Sequence, residues 1–373
     1  MTQPNLRVLH VGEFLQGGIA SYLDELLPAQ VCELGAEQVA LVCPGDHVAY
    51  LERQTGYQIR PYRRDGRDPR SLARLTVEFR RALREFRPTV VHLHSTFAGA
   101  ICRPILAAIA RRRRPAVVYC AHGWGFLREV SPAALRANEW VERALARPTD
   151  AIVSISETEH RAALAHHLPA TRCLAIRHGI SDPTVPGAAP TAAHVDAGAP
   201  IRLLFVGRHD PQKGLDLLLE AMALLEPGIA ELTVAGEAAL RPGRSSEVAA
   251  QGVTWLGWVP HHELHVLVRA HDALVVPSRW EGFGLVALEA MRAGRAVVAS
   301  DRGSLPEIVD DGRTGVLVRP LSPERLAATL GALTRPQLES MGAAGRRRYE
   351  DEFTAERMNR QTLDLYRSVS TRP

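Results

Sequence analysis

Residues 273–292 read ALVVPSRWEGFGLVALEAMR, and this stretch decides how the fold is interpreted. Its first four residues are apolar and predict a buried strand, while the apolar spacing over 285–292 predicts a helix. Gly282 and Gly284 lie in the loop between them, where glycine lets the backbone approach a ligand closely. The N–H groups that open a helix after such a loop attract anions. The stretch therefore predicts a phosphate-binding loop between a parallel strand and its helix.

Glu281 and Glu289 place two carboxylates near this predicted loop. Glu281 precedes the helix and can lean over its start, whereas Glu289 lies about one turn inside it. Two carboxylates at two depths suit a ligand that carries two hydroxyl-bearing rings. The alternative is that Glu281 is a charge favoured by the helix dipole and that Glu289 is a solvated surface residue.

A second loop of the same kind follows the first predicted strand of the second half. Residues 206–214 read VGRHDPQKG, and Lys213 is the only lysine in the chain. Arg208 and Lys213 can both reach back over the strand ends, where two cations would neutralise a diphosphate. An exposed basic loop is the alternative. Because ligands of open parallel sheets bind beyond the carboxyl ends of the strands, we expect the chemistry in these loops.

Short apolar runs alternate with helical patterns along the chain, which predicts parallel sheets covered by helices on both faces. In the first half these runs are 6–11, 38–43, 90–93, 116–120 and 151–155. In the second half they are 201–206, 231–235, 253–256, 273–276, 296–299 and 315–318. Prolines, glycines and alanines dominate residues 181–200 and indicate a linker.

This pattern predicts two doubly wound α/β domains, and a chain of 373 residues is long enough to bury two hydrophobic cores. We expect an N-terminal domain over 1–182, a linker over 183–200 and a C-terminal domain over 201–353. Residues 354–373 are expected to form a final helix that can pack back on the N-terminal domain.

The composition is that of a globular protein, with 46% hydrophobic residues and a formal net charge of +4. No apolar run approaches the roughly 18 residues that span a bilayer, and no signal-peptide pattern opens the sequence, so we expect a cytoplasmic protein. No recognised nucleic-acid-binding motif accompanies the arginine clusters, which argues against nucleic acid as a partner. The cysteines are expected to be buried thiols and not metal ligands, and they are Cys32, Cys43, Cys102, Cys120 and Cys173.

Two amphipathic basic segments lie in the first half, at 72–86 and 101–114. Segments of this kind can rest on anionic lipid, which would give the N-terminal domain a peripheral contact with the inner face of the cell membrane. Helices with an ordinary solvated basic face are an equally good interpretation.

Three spaced motifs in the second half resemble the donor domain of glycosyltransferase family 4. They are Arg208 with Lys213-Gly214, the block from Glu281-Gly282-Phe283-Gly284 to Glu289, and the sequence GSLPEI at 303–308. The resemblance extends into the first half through GGIA at 17–20 and AHG at 121–123. It implies a retaining glycosyltransferase of the GT-B fold, in which two Rossmann-like doubly wound domains face each other across a cleft.

The same resemblance implies a role for each matching residue. Arg208 and Lys213 would hold the diphosphate of the donor, Glu281 the hydroxyls of the transferred sugar and Glu289 those of the ribose. His122 would approach the sugar from the opposing domain, although His92 and His94 end a neighbouring strand and any of these three histidines could be structural. The other implied donor-binding positions are the backbone of Gly282, Phe283, Gly284 and Leu285, the base-lining Trp258 and Val259, and the closing loop at Gly17 and Gly18.

The chain departs from the family pattern at two places. Gly236 is followed by Glu237 and Ala238, where the family usually carries a second glycine two residues beyond the first. Gly303 is followed by Ser304, where the family frequently has a pair of glycines near the sugar.

The chemistry implied is transfer of a hexose-type sugar from a nucleotide diphosphate sugar, with UDP favoured as the nucleotide and GDP next. The expected acceptor is a glycan or a lipid-linked glycan of bacterial surface polysaccharide synthesis. No Asp-x-Asp pair occurs in the sequence, so we expect neither a metal nor another cofactor. A nucleotide-sugar epimerase of the same fold and a catalytically silent binder are alternatives. A dinucleotide-dependent oxidoreductase is disfavoured because neither first strand is followed by G-x-G-x-x-G.

Overall fold

The computed structural model describes residues 6–66, 68–127, 131–182, 198–237 and 252–371. The chain divides into two compact units, which are residues 1–181 with 355–373, and residues 182–354. Each unit contains one parallel sheet with helices packed against it. The doubly wound α/β architecture predicted from the alternation of apolar runs is therefore confirmed.

The strands of the first unit are β1 (Val8–Gly12), β2 (Val39–Pro44), β3 (Gln58–Tyr62), β4 (Val90–His94), β5 (Ala116–Cys120), β6 (Ala151–Ser154) and β7 (Cys173–Ala175). Those of the second unit are β8 (Ile201–Val206), β9 (Ala230–Ala235), β10 (Val253–Gly257), β11 (Ala273–Val276), β12 (Ala296–Ser300) and β13 (Gly315–Val318). Over the described residues, the first sheet has the order β3-β2-β1-β4-β5-β6-β7 and the second the order β10-β9-β8-β11-β12-β13.

The first helices in the chain are α1 (Gly18–Leu34), α2 (Pro69–Phe86), α3 (Thr96–Ala107), α4 (Pro132–Ala146), α5 (Glu157–Ala165) and α6 (Leu215–Leu224). They are followed by α7 (His261–Arg269), α8 (Leu285–Arg292), α9 (Leu305–Ile308), α10 (Pro323–Gly331), α11 (Arg335–Glu352) and α12 (Ala355–Ser370). Among the helices described, none combines the length and the apolar character that crossing a membrane requires.

The bounds of β5, β8, β11 and β13 agree with the predicted runs, but β3 and β7 were not predicted. β3 lies at the edge of its sheet, and its Gln58 and Pro61 are exposed, so it lacks a continuous apolar run. β7 has only three residues, which is too short for a recognisable pattern.

The C-terminal helix α12 belongs to the first unit. Tyr366 is completely buried, and the amide of Asn359 donates a hydrogen bond to the backbone carbonyl of Glu25 on α1 over 3.0 Å. The backbone N–H of Ala355 donates to the carbonyl of Ile180 over 3.1 Å. Each large side chain that α12 buries contributes roughly 1.5 to 3 kcal/mol, so the chain end is an integral part of this unit.

The thiol prediction was wrong for Cys32, which is exposed, whereas the other four cysteines are buried. Cys32 lies two residues, or roughly 200°, beyond the buried Gln30 on α1, so it points away from the sheet. The expected linker at 183–200 lies mostly outside the described residues, since 183–197 are not among them.

Candidate active site

The predicted phosphate loops meet at the centre of the second sheet. The neighbouring strands β8 and β11 lie where the strand order reverses, because β9 and β10 lie on one side of them and β12 and β13 on the other. In a doubly wound sheet the loops diverge at this switch point and leave a crevice beyond the carboxyl ends of the strands. Loop 207–214 follows β8 and loop 277–284 follows β11, so both border that crevice.

Hydrogen bonds join these two loops directly. The backbone N–H of Arg279 donates to the carbonyl of Gln212 over 2.8 Å, and the Gln212 amide donates to the carbonyl of Trp280 over 3.3 Å. The Arg279 guanidinium also binds the Asp216 carboxylate at the start of α6 and lowers the pKa of that carboxyl. The two loops therefore form one backbone frame.

Two glycines allow this frame to close. A Cβ atom on Gly214 would lie 2.1 Å from the carbonyl oxygen of Pro277, and a Cβ atom on Gly303 would lie 2.1 Å from the carbonyl oxygen of Glu281. Both glycines also have positive φ angles, of 68° and 58°. Any larger residue would separate the segments, so glycine at these positions reflects close packing of backbone against backbone.

Lys213 and Glu281 form an ion pair within this frame. The Nζ atom of Lys213 lies 2.7 Å from the Oε2 atom of Glu281, which also accepts a hydrogen bond from the Ser278 hydroxyl over 3.2 Å. Their side chains are only 18% and 9% exposed. The sequence predicted that both residues lie near the ligand, but it did not predict that they bind each other.

Arg208 has a different environment from Lys213. Its side chain is 60% exposed, and its guanidinium lies 3.0 Å from the Asp210 carboxylate and 3.2 Å from the Gln212 amide oxygen. Both of these partners lie on its own loop.

Glu289 lies on α8, whose start at Leu285 and end at Arg292 agree with the prediction. Glu289 is only 7% exposed, so the alternative of a solvated surface residue was wrong. Its Oε1 atom lies 2.9 Å from the Nε2 atom of His261 at the start of α7, and its buried Oε2 atom has no hydrogen-bond partner among the described residues. The carboxylate can therefore accept one more hydrogen bond.

The Ser304 side chain contacts the backbone of the loop before α8. The Ser304 side chain is completely buried, and its hydroxyl lies within hydrogen-bond distance of the carbonyl oxygens of Gly282 and Phe283, at 2.9 and 2.7 Å. Gly284 caps the helix with a φ of 93°, and Leu285 begins it. The serine that departs from the family's paired glycine thus holds the loop by its carbonyls.

The predicted base-lining segment follows β10. Trp258 is 67% exposed and Val259 partly exposed, and His261 comes two residues later. At the other departure from the family pattern, the Gly236 N–H donates to the carbonyl of Gly257 over 2.7 Å. Ala238 lies outside the part of the chain that the structure describes.

The remaining predicted residues belong to the first unit. Gly17 precedes α1 with a φ of 61°, and Gly18 is the first residue of that helix. His122 follows β5 with a φ of 52°, and its ring contacts Tyr22 of α1 edge to face at a centroid distance of 4.8 Å. The His122 ring is partly exposed, yet desolvation lowers its pKa to about 3, so the ring is neutral at physiological pH.

Known proteins resemble both halves of the chain. A family model described as "Glycosyl transferase 4-like domain" matches residues 17–179, and one described as "Glycosyl transferases group 1" matches residues 200–335. The alpha-maltose-1-phosphate synthase of Mycolicibacterium smegmatis is 32% identical over 315 residues, which are 76% of this chain and 79% of that protein. The chain belongs to glycosyltransferase family 4.

Two further proteins are similar to this glycosyltransferase over most of its length. An uncharacterized 41.2 kDa protein in the cps region of Klebsiella pneumoniae is 29% identical over 84% of this chain and 86% of that protein. The Anabaena protein HepE, solved in complex with UDP-glucose, has a TM-score of 0.77 and 19% identity over 97% of this chain and all of that chain. The likeness to HepE shows the fold, so the expected GT-B class with two Rossmann-like domains is confirmed. The two family models and the relative from Mycolicibacterium smegmatis confirm that the chain is a glycosyltransferase.

The sequence did not identify the whole polar neighbourhood of His122 in this glycosyltransferase. The His122 ring lies 3.0 Å from His94, which lies 3.0 Å from His10. Among the residues described, His10, His92 and His94 form one group whose ligand atoms are close enough together for a metal ion. A pattern of alternate residues at 92 and 94 was visible in the sequence, but pairing of β1 beside β4 was needed to add His10.

Proposed function

We propose that this glycosyltransferase transfers a hexose with retention of configuration from a UDP-sugar, with GDP-sugars as the second choice of donor. The observation that carries the proposal is the Lys213–Glu281 pair, which places a cation and a carboxylate at the switch point beside the start of α8. The complex of the Anabaena neighbour with UDP-glucose supports the choice of donor.

In this proposal Lys213 and Arg208 bind the donor diphosphate together with the N–H groups that open α8. Transfer breaks the bond between the anomeric carbon and the phosphate oxygen, and the electron pair stays on the departing diphosphate. A cation held in a partly buried crevice stabilises that charge more strongly than water does. The acceptor hydroxyl attacks from the face that the leaving group vacates, and its proton passes to the departing phosphate.

Glu281 is proposed to accept hydrogen bonds from the hydroxyls of the transferred sugar, as a ligand and not as a covalent nucleophile. Gly282, Phe283, Gly284 and Leu285 contribute backbone contacts to sugar and phosphate. The Nζ atom of Lys213 lies 2.7 Å from the Glu281 carboxylate. Donor binding would therefore divide the pair, with the phosphate attracting Lys213 and the sugar hydroxyls replacing it at Glu281.

Glu289 is proposed to hold the ribose hydroxyls, because its buried Oε2 atom lacks a hydrogen-bond partner within the described residues. Trp258 and Val259 would line the base. In the first unit, His122 is proposed to contact the sugar, and the loop at Gly17 and Gly18 to close on the phosphate and the acceptor. The first unit is accordingly the proposed acceptor-binding domain and the second the donor-binding domain.

The proposed acceptor is a glycan or lipid-linked glycan of bacterial surface polysaccharide synthesis, which the relative from the Klebsiella cps region supports. A lipid-linked acceptor suits a peripheral contact with the cytoplasmic face of the membrane through the arginines of α2 and of 111–114. Sedimentation with anionic liposomes at low salt, reversed at high salt, would support this contact. Failure to sediment at low salt would refute it.

The sole lysine permits a direct test of donor binding. Reductive methylation with ¹³C-formaldehyde labels only Lys213 and the N-terminal amine, and it preserves their positive charge. We expect UDP to shift the Lys213 signal and GDP to do so only at higher concentration, while the N-terminal signal stays constant as the internal control. A Lys213 signal that no nucleoside diphosphate moves would refute the proposed site.

A screen of nucleotide sugars then identifies the reaction. We expect slow release of UDP from one UDP-hexose without acceptor and faster release with acceptor. Conversion of the donor to an epimeric nucleotide sugar without release of UDP would instead establish the epimerase.

A further inference from the structure

A buried hydrogen-bond network links α1 and α12 to His122 in the first unit. Its members are all completely buried except His122 itself, and they are Gln30, Tyr366, His10, His92 and His94. Each contact is within 3.4 Å, and the network begins at Gln30 and divides into two arms. Because histidine nitrogens can either donate or accept, the direction of each bond depends on where the protons lie.

Gln30 gives the network its direction. An amide oxygen can only accept a hydrogen bond and an amide nitrogen can only donate. The Oε1 atom of Gln30 lies 2.8 Å from the Nε2 atom of His10, and its Nε2 atom donates to the Tyr366 hydroxyl over 3.4 Å. His10 must therefore carry its proton on Nε2.

The first arm transmits this constraint to His122. Burial lowers the pKa of His10 to about 4, so its ring is neutral and Nδ1 is an acceptor. That Nδ1 atom lies 3.0 Å from the Nε2 atom of His94, which must donate. The Nδ1 atom of His94 is then an acceptor and lies 3.0 Å from the Nε2 atom of His122, which must donate in turn.

The second arm ends at His92. Since the Tyr366 hydroxyl accepts from Gln30, it can donate its own proton to the Nδ1 atom of His92, which lies 2.6 Å away. His92 then carries its proton on Nε2, an atom that is buried and has no hydrogen-bond partner among the described residues. The two arms share only Gln30.

We propose that Gln30, acting through His10 and His94, fixes the tautomer of His122 in which Nε2 carries the proton and Nδ1 is a hydrogen-bond acceptor. No hydrogen-bond partner of that Nδ1 atom occurs in the described part of the chain, and the ring is partly exposed. The Nδ1 atom of His122 thus presents a lone pair to a ligand hydroxyl, and the single N–H group of the ring points to His94 and not to the ligand. Only the contact with a ligand hydroxyl rests on the proposed function, which identifies that hydroxyl as one of the sugar. The tautomer of His122 does not rest on it.

The competing explanation of the cluster is a metal ion bound by His10, His92 and His94. A ligating nitrogen must be unprotonated and lies about 2.0 to 2.1 Å from the ion. Here the Nδ1 atom of His10 and the Nε2 atom of His94 lie 3.0 Å apart, which is the distance of a hydrogen bond that holds a proton between them. The distances therefore favour a hydrogen-bonded cluster over a metal site. The test below includes a measurement of the metal content of the protein.

The test is the protonation of the ring nitrogens in the intact protein. Long-range ¹H–¹⁵N correlation spectra of protein whose histidines are labelled with ¹⁵N distinguish the two tautomers of each neutral ring. We expect His10, His94 and His122 to carry the proton on Nε2 at neutral pH, in protein that contains no stoichiometric metal. A proton on Nδ1 of His122, a mixture of its tautomers, or one bound metal ion per chain would overturn the proposal.

Two variants test whether the His122 tautomer depends on the hydrogen bonds through His10 and His94 or on the buried cluster as a whole. Gln30→Leu removes the group that gives the network direction, so we expect His122 to become a mixture of tautomers. Tyr366→Phe removes a hydrogen bond from the same cluster but lies only on the His92 arm, so His122 should keep its single tautomer. A mixture in both variants, or in neither, would contradict the proposed path.

Turnover provides a second readout. Gln30→Leu should lower turnover about threefold to tenfold relative to Tyr366→Phe, as expected for weakening one hydrogen bond in the transition state. If the tautomers are as expected and neither nucleotide sugars nor UDP bind, the control of the His122 tautomer by Gln30 is supported and the proposed function is refuted. If donors are turned over while His122 carries its proton on Nδ1, the control of the tautomer by Gln30 is refuted and the proposed function is supported.

Discussion

The ammonium of Lys213 lies 2.7 Å from the carboxylate of Glu281, and both side chains are largely buried at the switch point of the second sheet. This pair joins the loop after β8 to the loop after β11. Each partner therefore lowers the cost of burying the other. Under the proposed function, donor binding replaces this interaction with two new ones, from Lys213 to the phosphate and from Glu281 to the sugar hydroxyls.

The two glutamates should have separable roles. Glu289→Gln should weaken binding of free UDP by roughly 1.5 to 3 kcal/mol, because it removes a charged acceptor from the ribose. Glu281→Gln should not weaken UDP binding, since it releases Lys213 for the phosphate, but it should lower turnover by about 10² to 10³. Calorimetry with UDP and single-turnover transfer measure the two effects. Equal losses of UDP affinity in both variants would show that this division is wrong.

His261 should act on the nucleotide through Glu289. Its Nε2 atom lies 2.9 Å from the Glu289 carboxylate, so His261→Gln should loosen that side chain and weaken UDP binding by about threefold to tenfold. Turnover at saturating donor should change little. The neighbouring His262, whose side chain is 76% exposed, supplies the control variant His262→Gln. Equal effects of the two substitutions on UDP affinity would refute the role of His261.

Gly303 should be required for the position of Glu281. A Cβ atom at Gly303 would lie 2.1 Å from the Glu281 carbonyl oxygen, so Gly303→Ala must displace the backbone that carries this carboxylate. We expect turnover to fall by about tenfold or more, because a displaced ligand of the sugar no longer holds it in the reactive geometry. Gly312 also has a positive φ, of 76°, but a Cβ atom there would have no neighbour within 4 Å among the described residues, so Gly312→Ala controls for backbone strain alone. That control should lose only about 1 kcal/mol of stability and keep its activity.

Activity should survive an excess of EDTA. The charge of the diphosphate is proposed to be met by Arg208, Lys213 and the backbone N–H groups at the start of α8, which chelation does not affect. Transfer is measured before and after dialysis against EDTA and again after Mn²⁺ or Mg²⁺ is added. Loss of activity that either cation restores would establish a metal requirement.

Stability should fall in acid because of the buried histidines. Burial lowers the pKa of His10 from 6.5 to about 4 and that of His122 from 6.5 to about 3. Below pH 6.5 the unfolded chain binds protons that the folded chain does not, so the free energy of unfolding decreases as the pH falls towards 4, and no such change occurs above 6.5. His10 alone should contribute about 3 kcal/mol to this decrease.

Urea unfolding at several pH values measures this effect. We expect His10→Gln to show a shallower decrease between pH 6.5 and 4 than the wild-type protein, whatever its stability at neutral pH. The exposed control His262→Gln should retain the wild-type slope. An unchanged slope in His10→Gln would show that His10 is not the source of the acid sensitivity.

Much of the fold was predictable because parallel strands covered on both faces are continuous apolar runs. The bounds of β8, β11 and α8 agreed with the sequence prediction for this reason. The edge strand β3 and the three-residue β7 were missed because partial exposure or short length removes that pattern. Cys32 was misassigned because residue type alone does not specify which face of a helix points to the core.

The sequence by itself determined the two doubly wound domains, the glycine loops and the residue types at the candidate site, since each of these depends on local periodicity and backbone freedom. Only the tertiary structure decided which side chains pair. Lys213 reaches Glu281 across 68 positions of sequence, and His10 reaches His94 across 84. Such contacts depend on which strands are neighbours in the sheet, and strand order arises from the packing of the whole domain and not from any local pattern.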